Sequence, residues 1–161
     1  MITTACLAAA TVIASAAPRL VGAETADKQS HIAEGIVKVG SAYGMADTIA
    51  RLKGDIAAKG ILFFSEIDQA KLAANAGIKL NPSTLLVFGN PPLGTLFITA
   101  NASAGLDWPV RLLVYEADGK VWVAYTDFDW IARRHRITNR DVEFKMASGV
   151  IASITSSVTA K

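Results

Sequence analysis

Apolar and polar positions divide the chain from about Ile36 onward into short strands and amphipathic stretches. Gly35-Ile36-Val37-Lys38-Val39 reads as a strand. Met45, Ile49, Leu52 and Ile56 then recur at helical spacing as far as about Ala58, and Lys59-Gly60 ends the run. Ile61-Leu62-Phe63-Phe64 is apolar on both sides, the pattern of a sandwiched or central strand. Asp68 suits the N-cap of a short helix from Gln69 to Ala76, with Gly77 just past its end. Leu85 to Phe88 is a third strand, and a helical stretch runs from about Phe128 to His135 with Asp127 as its N-cap. The last helix is expected to carry Val142, Met146, Val150, Ile154 and Val158 at four-residue spacing.

Asp118-Gly119 lies between two alternating runs and predicts a two-residue type I′ hairpin giving the fourth and fifth strands. Tyr115 then stands opposite Trp122, and Arg111 opposite Thr126. One face carries Val110, Leu112, Val114, Val121, Val123 and Tyr125, a core face. The other carries Arg111, Leu113, Tyr115, Trp122, Ala124 and Thr126. A Tyr115–Trp122 pair needs covering, by a helix, by a second subunit or by a ligand. The whole pattern is that of one α+β domain, a mainly antiparallel sheet with helices packed on one face.

Gly89-Asn90-Pro91-Pro92 closes the third strand. Asn90 suits an N-cap and Pro91 the first helical position. Prolines lack the N–H groups an anion cradle uses, so a rigid structural corner is expected here.

Composition narrows the function classes. In 161 residues the formal net charge is +2 and 19% of residues are charged. The longest basic block, Arg133-Arg134-His135-Arg136, is too short for a nucleic-acid footprint, so no nucleic-acid partner is expected. Residues 1–23 resemble a secretory signal. Ala5 to Ala17 is an apolar, small-residue run, and Val21-Gly22-Ala23 places cleavage before Glu24, although no Lys or Arg precedes Leu7. The run falls short of the about 20 apolar residues that span a bilayer, so no membrane span is expected in the mature chain, residues 24–161. The expected destination is the periplasm or the exterior. N-terminal sequencing of the chain from the producing cell should begin at Glu24, and intact Met1 would contradict export. Cleavage removes Cys6, the one cysteine, and with it disulfides and thiolate chemistry. His31 and His135 have no metal-ligand spacing, so neither a metal nor a cofactor is expected.

Several segments together resemble the family called domain of unknown function 302. They are Ile67-Asp68-Gln69, Leu80-Asn81-Pro82-Ser83-Thr84, Leu85-Leu86-Val87-Phe88-Gly89-Asn90-Pro91, Gly94-Thr95, Leu106-Asp107-Trp108-Pro109, Val110 to Glu116, Gly119-Lys120-Val121-Trp122 and Arg133-Arg134-His135. The resemblance covers about Ile36 to Ile137 and implies a TATA-binding-protein-like β-α-β(4)-α arrangement. It implies no established activity. The family's Ile-Asp-His triplet is Ile67-Asp68-Gln69 here, so any chemistry that used that histidine is lost. Asp68, Asn90, Arg111, Tyr125 and His135 match the family's polar positions and are the ligand-binding candidates; Tyr115 and Trp122 are the interface candidates.

Local chemistry suggests quieter roles for some of these. Arg111 could pair with Glu116, Asp127 or Asp129, and His135 could serve a helix C-terminus. Ser153, Ser156 and Ser157 have no base nearby, and no nucleophile–base pair is legible. The expected function is therefore a non-catalytic ligand-binding or interaction module, with a homodimer or an unidentified small molecule as partner. The alternative is an enzyme using Asp68, Asn90, Arg111 and His135 in one cleft.

Overall fold

The computed structural model describes residues 34–159. Five strands form one antiparallel sheet: β1 (Ile36–Gly40), β2 (Leu62–Asp68), β3 (Ser83–Gly89), β4 (Val110–Ala117) and β5 (Lys120–Thr126), in the order β1-β5-β4-β3-β2. Between and after them come α1 (Met45–Ala58), α2 (Gln69–Asn75), α3 (Pro91–Ala100), a 3-10 helix (Ala102–Leu106), α4 (Phe128–Arg134) and α5 (Asp141–Ser156). The α+β class and the antiparallel sheet are as the pattern predicts. The segment read as an export signal, Cys6 and His31 all lie outside the described residues.

Local chemistry accounts for most boundaries. Asp68 Oδ1 accepts the Lys71 N–H and caps α2, Asn90 Oδ1 accepts the Leu93 N–H and caps α3, and Asp127 Oδ1 accepts the Trp130 N–H and caps α4. Asp118 and Gly119 have φ of 53° and 69°, the left-handed pair a type I′ turn requires. Tyr115 lies opposite Trp122 and Leu112 opposite Tyr125, the predicted register.

One face of the sheet holds the core. Leu86, Leu112, Val114 and Val123 are fully buried beneath Leu52 and Ile56 of α1 and Ile154 of α5. The opposite face reads across the strands in rows. Lys38, Ala124, Leu113, Leu85 and Ile67 form the central row; Gly40, Trp122, Tyr115 and Ser83 lie on one side, and Arg111, Val87 and Ser65 on the other. None of these residues belongs to the core cluster or to the hydrophobics packed against it. Among the described residues α1, α3, α4 and α5 pack on one face, and the mixed face lies outside the core.

Two sequence expectations need correcting. The apolar Ile61–Phe64 run is not central: β2 is an edge strand, with Leu62 53% and Phe64 48% exposed. Apolar content cannot distinguish an edge from a centre, and a register shift between Phe63 and Ser65 leaves Phe64 as an extra residue in the ladder. The four-residue stripe on α5 is not a face either. Val142 and Met146 are 73% and 56% exposed, while Phe144, Ala147, Ile151 and Ile154 are buried. At 3.6 residues per turn each four-residue step drifts by about 40°, so the row winds from solvent at Val142 to the core at Ile154.

Candidate functional site

At the sheet end where β4 begins, a polar cluster joins the 3-10 helix to the C-terminus of α4. Asp107 closes the 3-10 helix and His135 closes α4, each donating its backbone N–H to the helix it ends. Both side chains are buried. His135 Nε2 lies 2.6 Å from Asp107 Oδ2, and His135 Nδ1 lies 2.7 Å from Ser103 Oγ. Arg134 Nη1 donates to both Asp107 oxygens, at 3.1 and 3.0 Å. Arg111 Nη2 donates to Asp107 Oδ1 at 3.2 Å and to the Leu106 carbonyl at 2.7 Å. Asn101 Oδ1 accepts the Ser103 N–H, and its Nδ2 donates to the His135 carbonyl. An ionised carboxylate only accepts, so Nε2 is the donor to Asp107, and Nδ1 meets the hydroxyl.

The order carboxylate–imidazole–hydroxyl is that of a hydrolytic relay. An oxyanion needs free donors, yet the Ser103 N–H is held by Asn101 Oδ1 and the Ala104 N–H by the Asn101 carbonyl. What the cluster does is lock two helix ends to the entry of β4.

The sequence candidates separate in space. Arg111 and His135 meet on Asp107, so the partner of Arg111 is Asp107 rather than Glu116, Asp127 or Asp129. Asp68 and Asn90 flank opposite ends of β3, about 20 Å apart at strand rise, and each is engaged as a cap. Gln69, at the position of the family histidine, accepts a hydrogen bond from Ser83 at 2.7 Å and ties α2 to β3. Tyr125 lies on the helix side, and burial, then the charge of Asp127, raises its phenol above the usual range. Tyr115 and Trp122 stand on the open face, where the Lys38 ammonium lies 3.8 Å from the Trp122 ring and 5.6 Å from that of Tyr115.

Asp68 lines a groove of about 580 Å³ with Met45, Ile49 and Thr84. A purely apolar pocket of about 30 Å³ beside Asn90, Trp108 and Phe128 has room for little more than a water. The open face holds two broad grooves, about 400 Å³ against Leu80 and Ser83 and about 360 Å³ against Ile36, Leu85 and Ala124, with Leu113 and Tyr115 shared between them.

Comparison with known proteins gives the family. The model of DUF302, a domain of unknown function, matches residues 37–154, and the chain belongs to that family. Over 118 residues the chain is 37% identical to a protein of Brucella suis named fluoride-specific ion channel FluC 1, covering 72% of this chain and 46% of that protein. The FluC 1 protein of Brucella abortus matches at the same identity, with 44% of its length covered. The chain thus spans less than half the length of these curated relatives. A crystal structure of an uncharacterised conserved DUF302 protein from Bacillus stearothermophilus aligns with a TM-score of 0.72 at 17% identity, over 78% of this chain and 99% of that one. That likeness establishes the fold.

Sequence reading missed Asp107 and Ser103 as partners of His135, and Arg134 as a partner of Asp107. Asp107 sits in the family segment Leu106-Asp107-Trp108-Pro109, the one available signal, but it looks like an ordinary loop carboxylate until the fold brings α4 beside it.

Proposed function

We propose that this chain is a non-catalytic interaction module whose open sheet face docks a protein surface. The observation that carries the reading is the separation of the two faces: Leu85, Val87, Leu113, Tyr115, Trp122 and Ala124 form a contiguous surface outside the core. A patch of this kind on a small domain marks an interaction site. The polar candidates support the same reading, because Asp68, Asn90 and Gln69 are spent on local structure and Arg111 and His135 on Asp107. The enzyme alternative would have to gather Asp68 and Asn90 from opposite ends of β3.

The relatives add direction. In proteins named as fluoride channels the matching region fills less than half the chain. Among the described residues here no helix is long and apolar enough to cross a membrane. A module that works beside a membrane protein, leaving conduction to the rest of such a protein, fits both facts, and export to the periplasm would place this chain at a membrane surface.

Leu113 lies at the centre of the open face, so Leu113→Lys should leave the far-UV spectrum unchanged and abolish docking. In extracts of gently lysed producing cells, the wild type should elute as an assembly and the variant as a lone chain. Identical elution of the two would contradict the reading.

A further inference from the structure

We infer that the occupant of the open face is a second copy of this chain, an inference that rests on the docking reading above. Three observations favour a copy over an unrelated partner. First, the face carries its own complement: Tyr115 and Arg111 stand at opposite ends of one groove of about 360 Å³, so the Tyr115 ring of one copy has the Arg111 end of the other's groove to enter.

Second, the rows are arranged for a two-fold axis. An axis lying in the contact along the Ala124–Leu113–Leu85 row superposes that apolar row on itself and exchanges the flanking rows. Arg111 of one copy then faces Tyr115 of the other on β4, and Val87 faces Ser83 on β3. Arg111 contacts Asp107 through Nη2, and its half-exposed guanidinium offers a cation to an aromatic face. Lys38 stands on the edge strand β1, with its ammonium 3.8 Å over the Trp122 ring.

Third, the area suits a modest dimer. Five strands about 4.8 Å apart and about five residues deep give a face of roughly 24 by 17 Å, on the order of 400 Å² per copy. With the exposed Leu80 beside that face, two copies bury roughly 800–900 Å², the low end of protein interfaces. The dimer is therefore weak and reversible.

Sedimentation velocity of the purified chain over a concentration series tests this. The wild type should pass from monomer to dimer across the micromolar range, and Trp122→Glu should weaken association at least tenfold with an unchanged far-UV spectrum. Should Trp122→Glu fail to fold, Leu85→Lys in the central row carries the same expectation, while Val142→Lys on the outer surface of α5 should associate like the wild type. A wild type that stays monomeric at several hundred micromolar overturns the second copy, as does association indifferent to Trp122→Glu and Leu85→Lys. A monomeric wild type that still elutes from cells as an assembly sensitive to Leu113→Lys overturns the copy and keeps the docking face; loss of both effects overturns both.

Discussion

Gly94→Ala should lower the stability of the domain by roughly 3 kcal/mol, a drop in Tm on the order of 10 °C. A Cβ placed on Gly94 would lie 1.7 Å from Trp108 Cε2 and 2.2 Å from its Nε1, inside the indole itself. The ring has little room to withdraw: Gly89 holds its other side, where a Cβ would approach Trp108 Cζ2 to 2.7 Å, and the Phe97 ring meets it edge-on at 6.3 Å between centroids. Accommodating one methyl therefore means unseating Trp108 from the roof between β3 and α3. Gly105→Ala is the control, since nothing lies within 4 Å of its Cβ position. A thermal melt of Gly94→Ala matching that of Gly105→Ala would contradict this packing.

Asp107→Asn should cost about 3 kcal/mol in urea unfolding. The substitution keeps the shape and removes one acceptor. Asp107 Oδ1 accepts from Arg111 and Arg134, and Oδ2 from Arg134 and His135. An amide NH₂ in either position would point its hydrogens at guanidinium donors, or at a guanidinium and the imidazole. The two arginines are nearly half exposed and can turn to water, so the penalty falls mainly on buried His135. Arg134→Ala should accordingly cost no more than about 1 kcal/mol. An Asp107→Asn variant within about 0.5 kcal/mol of the wild type, the scatter of surface substitutions, would show that the cluster is not a lock.

Features legible in the sequence were those whose cause is local. Asp118-Gly119 fixed the hairpin and its register because the turn demands two left-handed residues, and Asn90-Pro91 announced a helix start through a cap and a preset φ. Edge or centre was not legible for β2, because strand order depends on pairing rather than on apolar content. The site was less legible still. His135 and Asp107 are 28 residues apart and meet only when α4 folds back on the 3-10 helix. The mixed face could be drawn from the hairpin alone, with Tyr115 beside Trp122, but whether a helix covered it depended on which side the core helices α1, α3, α4 and α5 chose.

Gly89 and Gly94 seat an indole, Asn90 and Asp68 cap helices, and Arg111 and His135 secure Asp107. The surface proposed for docking is the open sheet face. Site-specific photo-cross-linking in the producing cell tests it most directly, with a benzophenone side chain placed at Leu113 in one strain and at exposed Lys145 on α5 in another. The account predicts covalent protein adducts from position 113 and none from position 145; adducts from both alike, or from the helix side only, would contradict it.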